Sequence, residues 1–252
     1  MGLAGEAGKI APATLEAALT GRQWGGPHHV TPAVLSLSQA TEAGTIYRPD
    51  EIKELADLAH ARGLSVHMDG ARFANALARL NASPAEVTWK AGVDALSFGA
   101  TKGGALAAEA IVFFDPARRA GMQDRRKRGG HLVSKHRYIA AQIEAYLADG
   151  LWLRLAHHAN EMADRLSEGL DAMGLTPIWP VEANEVFVPL RRDTIERLKR
   201  AGASFYPWSA AGIPEAAEAA DRNMQLVRLV TSFATTAQEV DRFLAGARTI
   251  SI

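Results

Sequence analysis

A single lysine follows an apolar stretch in the segment D-A-L-S-F-G-A-T-K-G-G, which covers residues 94–104. Lys102 stands among small residues, with Gly99, Gly103 and Gly104 beside it in sequence. A lysine in a desolvated pocket is a good nucleophile and can form a Schiff base with a carbonyl compound. The glycines would leave clearance for a flat cofactor ring. An ordinary loop lysine is the alternative, and Lys102 taken alone favours that alternative.

A carboxylate occurs at a second strand end. Asp69 closes the apolar segment L-S-V-H-M-D and lies 102 − 69 = 33 residues before Lys102, about one strand and helix excursion. Both side chains are therefore expected at the ends of neighbouring strands, at the sheet edge where α/β folds bind ligands. A carboxylate there can keep a pyridine nitrogen protonated while a lysine binds an aldehyde, as pyridoxal phosphate requires. A helix N-cap is the alternative role for Asp69.

The elements that would position these residues alternate in type. Strand patterns at 33–38, 64–69 and 93–98 are separated by helix patterns, and a further strand pattern at 109–114 follows the lysine loop. This alternation predicts an α/β lobe with a mainly parallel sheet, assigned to residues 1–134. Two long helices, 132–148 and 151–173, then precede two further strands and two helices, which predicts a smaller α+β lobe over residues 135–252.

Composition narrows the function classes. Lys+Arg and Asp+Glu both number 28, which argues against a nucleic-acid binder, and the basic segment 125–137 is expected to be a solvated face. There is no cysteine, so thiol chemistry is excluded, and the adjacent histidine pairs do not suggest a metal site. No apolar run approaches the roughly 20 residues of a membrane span. A cytoplasmic protein is the expectation.

The motif H-M-D-G-A-R-F-A-N-A, followed by the lysine segment, resembles the threonine aldolase group of aminotransferase-like (fold type I) pyridoxal phosphate enzymes, which is related to the beta-eliminating lyases. The resemblance also covers residues 39–52 and 227–236. It implies an aminotransferase-like fold, pyridoxal 5'-phosphate, and retro-aldol cleavage of L-threonine or a related β-hydroxy-α-amino acid to glycine and an aldehyde. It further implies a homodimer or homotetramer with active sites shared between subunits.

The resemblance assigns roles to individual residues. Lys102 forms the Schiff base, Asp69 pairs with the pyridine nitrogen, and Thr101 lies beside the cofactor. Arg72 is placed near the ring hydroxyl and the substrate carboxylate, which Arg228 binds. Independently of the family, Arg228 interrupts an apolar strand, and an inward guanidinium needs an anionic partner. A solvent-facing strand residue is the alternative for Arg228.

Other roles are less defined. Glu42 stands in T-E-A-G where many family members have a histidine that handles the proton of the substrate hydroxyl, so Glu42 is either a base or a loop carboxylate. Ser134 and Lys135, with Arg137 as a weaker candidate, are implied to bind cofactor phosphate in the neighbouring subunit. His67 shares the strand face of Asp69 and is expected to be a core histidine.

One family feature has no counterpart in the sequence. Residues 1–10 do not read as the strand, glycine loop and helix that hold the cofactor phosphate in fold type I enzymes, and only 68 residues precede Asp69. A segment of roughly 100 residues is therefore expected to be absent, leaving an exposed sheet edge. A shortened relative acting as a dimerisation or interaction module is the second hypothesis. A β-eliminating lyase or aminotransferase on the same cofactor is the third.

Overall fold

A computed structural model describes residues 1–21, 23–209 and 223–248. The first part of the chain forms, in order, β1 (Gly5–Glu6), β2 (Lys9–Ile10), α1 (Pro12–Thr20), β3 (Val34–Ser38), α2 (Pro49–Ala61), β4 (Ser65–Gly70), α3 (Phe73–Leu80), β5 (Ala95–Gly99), β6 (Glu109–Phe113) and α4 (Met122–Arg128). Strands β3, β4, β5 and β6 form one sheet in that order. The first three strands are parallel and β6 is antiparallel, so the predicted mainly parallel sheet is confirmed.

The two faces of this sheet differ. Alternate side chains of β3 to β5 are buried under the helices in the main core, among them Leu37, Met68 and Phe98. Helix α2 supplies much of the covering layer because its apolar residues recur on one face, with Ile52 and Leu55 fully buried. The opposite face of the sheet carries mostly polar or partly exposed side chains.

The first ten residues, which lack a strand, glycine loop and helix pattern, form a small antiparallel hairpin instead. Ala7 and Gly8 make its turn, with φ angles of 48° and 77°. The hydroxyl of Thr45 donates a 2.7 Å hydrogen bond to the Ala7 carbonyl. The ion pair between Lys9 and Glu51, at 2.9 Å, attaches β2 to the first turn of α2. The hairpin therefore packs on the loop that follows β3.

The second part of the chain forms α5 (Arg137–Leu147), α6 (Leu151–Asp171), β7 (Glu185–Arg191), α7 (Arg192–Arg200), β8 (Tyr206–Pro207), β9 (Met224–Val230) and α8 (Ala237–Ala247). Its three strands pair antiparallel in the order β7-β9-β8. One face of this sheet packs in a second core with residues of α6, α7 and α8. The predicted α+β lobe is thus present.

Helix α6 contributes to both cores. Trp152 and Ala156 are buried in the first core, and Leu166 and Leu170 in the second. Helix α5 also packs on the first core, through Tyr146. The division at residue 134 stays a prediction, because side chains on both sides of it share one core. Within the described ranges, no helix combines the length and the apolarity that a membrane crossing needs.

Candidate active site

Asp69 and Lys102 lie at the same edge of the large sheet. Strands β4 and β5 are parallel neighbours, and Asp69 is in register with Ser97 on β5. Strand β5 ends at Gly99, and Lys102 occupies a single 3-10 turn formed by residues 101–103. Both residues therefore stand at carboxyl ends of adjacent parallel strands, as their spacing predicts. Ligands of α/β folds bind at such edges.

The side chain of Lys102 is exposed. In the described structure the amine is open to solvent, so a desolvated environment for Lys102 stays a prediction. Within that part of the chain, the amine forms no hydrogen bond or ion pair. Thr101 holds the turn closed, since its hydroxyl accepts a 3.1 Å hydrogen bond from the backbone N–H of Ala108. Thr101 thus positions the lysine through the backbone.

The glycines around Lys102 allow close packing with neighbouring parts of the chain, and the clearance for a cofactor ring stays a prediction. A side chain at any of the three positions would collide with a neighbouring element, as the contacts of a hypothetical Cβ show. The nearest groups are the backbone of Ala71 for Gly99, the phenol of Tyr146 for Gly103, and Leu155 for Gly104. Gly104 also has a φ of +135°, which other residues rarely adopt. The close approaches at Gly103 and Gly104 seat the turn on α5 and α6.

An aromatic cluster supports the site from below, and the sequence analysis did not identify it. Phe98 precedes the Lys102 turn and Phe73 begins α3 just after Arg72. Their rings pack edge to face, 6.4 Å apart, and both contact Trp152 of α6. Tyr146 of α5 completes the group. Four elements are thereby fixed to one another beneath the ends of β4 and β5.

Asp69 is exposed, and one of its carboxylate oxygens accepts a 3.0 Å hydrogen bond from the backbone N–H of Ala71. Helix α3 has Arg72 as its N-cap residue, without a side-chain cap, so the N-cap alternative for Asp69 is wrong. The bond instead fixes the turn between β4 and α3. In the described part of the chain, the second oxygen has no hydrogen-bond partner and can receive a proton donor.

His67 lies on the more polar face of the sheet, so the prediction of a core histidine is wrong. Its Nδ1 is 2.8 Å from the hydroxyl of Ser36, and its Nε2 is 2.9 Å from the hydroxyl of Ser97. The imidazole thus bridges β3 and β5 across β4, on the face that also carries Asp69. His67 therefore links the three parallel strands next to the carboxylate of Asp69.

Two arginines meet at one buried carboxylate. The Arg72 guanidinium lies 2.9 Å from Oε1 of Glu185, and that of Arg228 lies 3.5 Å from the same oxygen. The Glu185 side chain is fully buried and that of Arg72 is 9% exposed. Burial raises the pKa of Glu185 despite both arginines, and burial lowers the pKa of Arg72 despite the Glu185 charge. Arg228 also stacks on Trp208, at 4.5 Å from the ring centre.

Glu185 is the principal site residue that the sequence analysis missed. It begins β7, and its place in the register puts it diagonal to Arg228 of β9, on the sheet face opposite the second core. A signal was available: an acidic residue opens the apolar segment E-V-F-V, just as Arg228 interrupts the apolar segment of its partner strand. The anionic partner predicted for Arg228 therefore exists within the chain itself.

Glu42 lies at the exposed tip of the loop after β3. The loop is closed by a 2.8 Å hydrogen bond between the hydroxyls of Thr41 and Thr45. Gly44 has a φ of +76°, and a side chain there would meet the Glu185 carbonyl at 2.9 Å. Burial lowers the pKa of Arg72, and the nearby negative charge of Glu42 opposes part of that lowering. The structure therefore brings Glu42 to the arginine pair, without a direct ion pair between them.

The basic candidates lie elsewhere. Ser134, Lys135 and Arg137 are exposed, on the connection into α5 and at its first residue. In the described structure, none of them forms a hydrogen bond or ion pair with the residues around Lys102. Their implied role involves a neighbouring subunit, so it stays a prediction.

Comparison with known proteins decides the family. The profile of the beta-eliminating lyase family matches residues 2–193. The chain belongs to this family. A low specificity L-threonine aldolase from Pseudomonas aeruginosa is 46% identical over 208 residues, which are 82% of this chain and 60% of the relative. The chain therefore spans about 60% of the length of that curated relative.

Solved structures agree on the fold of this beta-eliminating lyase family member. Leishmania major threonine aldolase superposes with a TM-score of 0.84 at 29% identity, covering 94% of this chain and 66% of that one. A serine palmitoyltransferase from Sphingomonas wittichii, at 15% identity, has a TM-score of 0.62 over 94% of this chain and 57% of the other. The aminotransferase-like fold expected from the sequence is thus confirmed.

Proposed function

We propose that this chain belongs to a pyridoxal-phosphate-dependent aldehyde-lyase and provides the lysine that binds the cofactor and the arginines that bind the substrate carboxylate. The reaction is the cleavage of L-threonine, or a related β-hydroxy-α-amino acid, to glycine and an aldehyde. The observation that carries the proposal is the placement of Lys102 and Asp69 at the carboxyl ends of neighbouring parallel strands, with Arg72 at the N-cap of the helix that follows Asp69. Membership of the beta-eliminating lyase family and the similarity to named threonine aldolases support it.

The residues present fit the ring end of the cofactor. The unpaired amine of Lys102 is accessible to an aldehyde, and the free oxygen of Asp69 is accessible to a protonated pyridine nitrogen. The buried Nε of Arg72 has no hydrogen-bond partner in the described structure, so a donor is available beside the ring. When bound, pyridoxal phosphate supplies an electron sink for the bonding pair released when the Cα–Cβ bond breaks.

Each side chain then has a defined task. Lys102 would bind the cofactor through its aldehyde group, as a nucleophilic amine. Asp69 keeps the ring nitrogen protonated, and Arg228 with Arg72 orients the substrate through its carboxylate. Glu42, on the loop beside the arginines, is the proposed acceptor of the proton from the substrate hydroxyl.

The remaining assignments concern assembly. Ser134 and Lys135, helped by Arg137, are proposed to contact cofactor phosphate in the neighbouring subunit of a homodimer or homotetramer, and Thr101 to fix the lysine turn. Their exposure in the single chain is compatible with such a contact. A cytoplasmic location is proposed for the same protein.

The direct test is an aldolase assay with added pyridoxal phosphate and L-threonine, following acetaldehyde with a coupled alcohol dehydrogenase. Wild type is expected to release acetaldehyde and Lys102→Ala to release none, whereas Lys53→Ala, at an exposed lysine paired with Asp57, keeps wild-type activity. A four-carbon keto acid formed from L-threonine in place of acetaldehyde would indicate elimination or transamination instead. Equal rates in wild type and Lys102→Ala would refute the proposed role of the lysine.

A further inference from the structure

The carboxylate of Glu185 has no task in the chemistry described so far. Its Oε1 lies 2.9 Å from a terminal nitrogen of Arg72, as an ion pair, and accepts a 3.5 Å hydrogen bond from a terminal nitrogen of Arg228. Its second oxygen is buried without a hydrogen-bond partner in the described structure. A guanidinium has five N–H donors, so this sharing leaves most donors of both arginines unused. The Nε of Arg72 is one of them, and it is buried.

The charges in direct contact sum to +1, from two guanidinium groups and one carboxylate. One further carboxylate brings that sum to zero, and a second would leave an uncompensated negative charge in a site that is largely desolvated. The nearby anions Glu42 and Asp69 also act on Arg72, whereas the cation Lys102 acts on Glu185, so these neighbours together add one negative charge and oppose a second ligand carboxylate. The local electrostatics thus match a ligand with one carboxylate.

We propose that Glu185 is a specificity-determining counter-ion that restricts the two-arginine site to monocarboxylate ligands and disfavours dicarboxylates. This inference rests on the proposed function in that the natural ligand is taken to be an amino acid with one carboxylate. It adds a reason why a site with two arginines discriminates against acidic amino acids. Glu185 acts through Arg72 and Arg228 and needs no contact with the reacting atoms.

The test measures carboxylate binding without the cofactor, by the rise in melting temperature as propanoate or succinate is added at constant ionic strength. Wild type is expected to bind propanoate at least about tenfold more tightly than succinate, because the dianion meets an excess negative charge. In Glu185→Gln the local sum becomes +2, and the ratio is expected to shift toward succinate by about tenfold or more. Glu196→Gln makes the same change in net charge on the exposed surface of α7 and should leave the ratio unchanged.

Two outcomes would overturn the inference. Wild type that binds succinate as tightly as propanoate contradicts it without any variant, even if Glu185→Gln fails to fold. A folded Glu185→Gln protein with an unchanged ratio contradicts it as well. If that unchanged ratio comes with tighter binding of both anions, Glu185 only occupies the carboxylate position. Because these measurements need no pyridoxal phosphate, their failure is distinguishable from a failure of Lys102 to bind cofactor.

Discussion

The phenolic oxygen of Tyr146 lies against the backbone of Gly103, the residue that follows Lys102, so closely that no side chain fits between them. Tyr146 is 3% exposed, and its hydroxyl has no hydrogen-bond partner in the described structure. The turn that carries the lysine is thus set by a packing contact with α5. The glycine is required because of the tyrosine.

Substitution of Gly103 tests this contact. Gly103→Ala is expected to lower the free energy of unfolding by about 1–3 kcal/mol, because the new methyl group overlaps the phenol. The double variant Gly103→Ala with Tyr146→Phe should recover part of the loss, since the nearest remaining atom is the ring carbon Cζ at 2.8 Å. Denaturant unfolding of wild type, the two single variants and the double variant measures the coupling energy between Gly103 and Tyr146. Additive effects would show that the two residues do not constrain each other.

The Tyr146 hydroxyl also predicts a response to alkaline pH. Burial raises the pKa of Tyr146 from 10.0 to about 12. The neutral phenol therefore contributes stability that is fully present below pH 10 and is lost as the pH rises toward 12. Unfolding free energies measured across this range should fall more steeply for wild type than for Tyr146→Phe. Parallel curves for the two proteins would contradict the assignment.

The order of the elements and the edge that holds the site follow from local sequence patterns. Alternating strands and helices predict the parallel arrangement of β3 to β5, and that arrangement alone places Asp69 near the turn of Lys102. The contacts that define the site in detail join residues distant in sequence. Glu185 lies 185 − 72 = 113 positions after Arg72, and no local periodicity encodes their meeting.

The features that local sequence patterns do not predict correctly also depend on contacts between distant residues. Gly103 is conspicuous beside Lys102, but its partner Tyr146 lies in a helix whose packing only the folded chain reveals. His67 sits in an apolar segment, yet the neighbouring strands present Ser36 and Ser97 to it on the more polar face. Which face of a strand is buried depends on the layers above and below it, which a strand pattern does not specify.

The hairpin turn offers a stability test. Ala7 has a φ of 48°, a left-handed conformation that disfavours residues with a Cβ. Ala7→Gly is expected to raise the free energy of unfolding by roughly 0.5–1 kcal/mol, because glycine adopts this conformation without strain. Ala4→Gly, in the same segment but without a positive φ, should leave stability unchanged or slightly lower it. Thermal melts compare the three proteins, and a lower melting temperature for Ala7→Gly would contradict the geometry.

Burial of Glu185 predicts that stability also depends on pH in the acidic range. Its pKa is raised above the ordinary value of 4.5, so its neutral form contributes stability that is fully present below pH 4.5 and is lost as the pH rises through the raised value. The stability of wild type relative to Glu185→Gln should therefore decline as the pH increases above 4.5. Denaturant unfolding of both proteins from acidic to neutral pH measures this difference in the free energy of unfolding. A relative stability that instead increases with pH would indicate that the ion pairs with Arg72 and Arg228 outweigh burial.

The central claim is that Lys102 is the residue that binds the cofactor aldehyde. The most direct measurement is incubation with pyridoxal phosphate, reduction with borohydride, and peptide mapping of the labelled lysine by mass spectrometry. We expect the label on the peptide containing Lys102, accompanied by a visible absorbance band before reduction, and neither signal in Lys102→Ala. Labelling confined to other lysines, or equal in wild type and Lys102→Ala, would contradict the account.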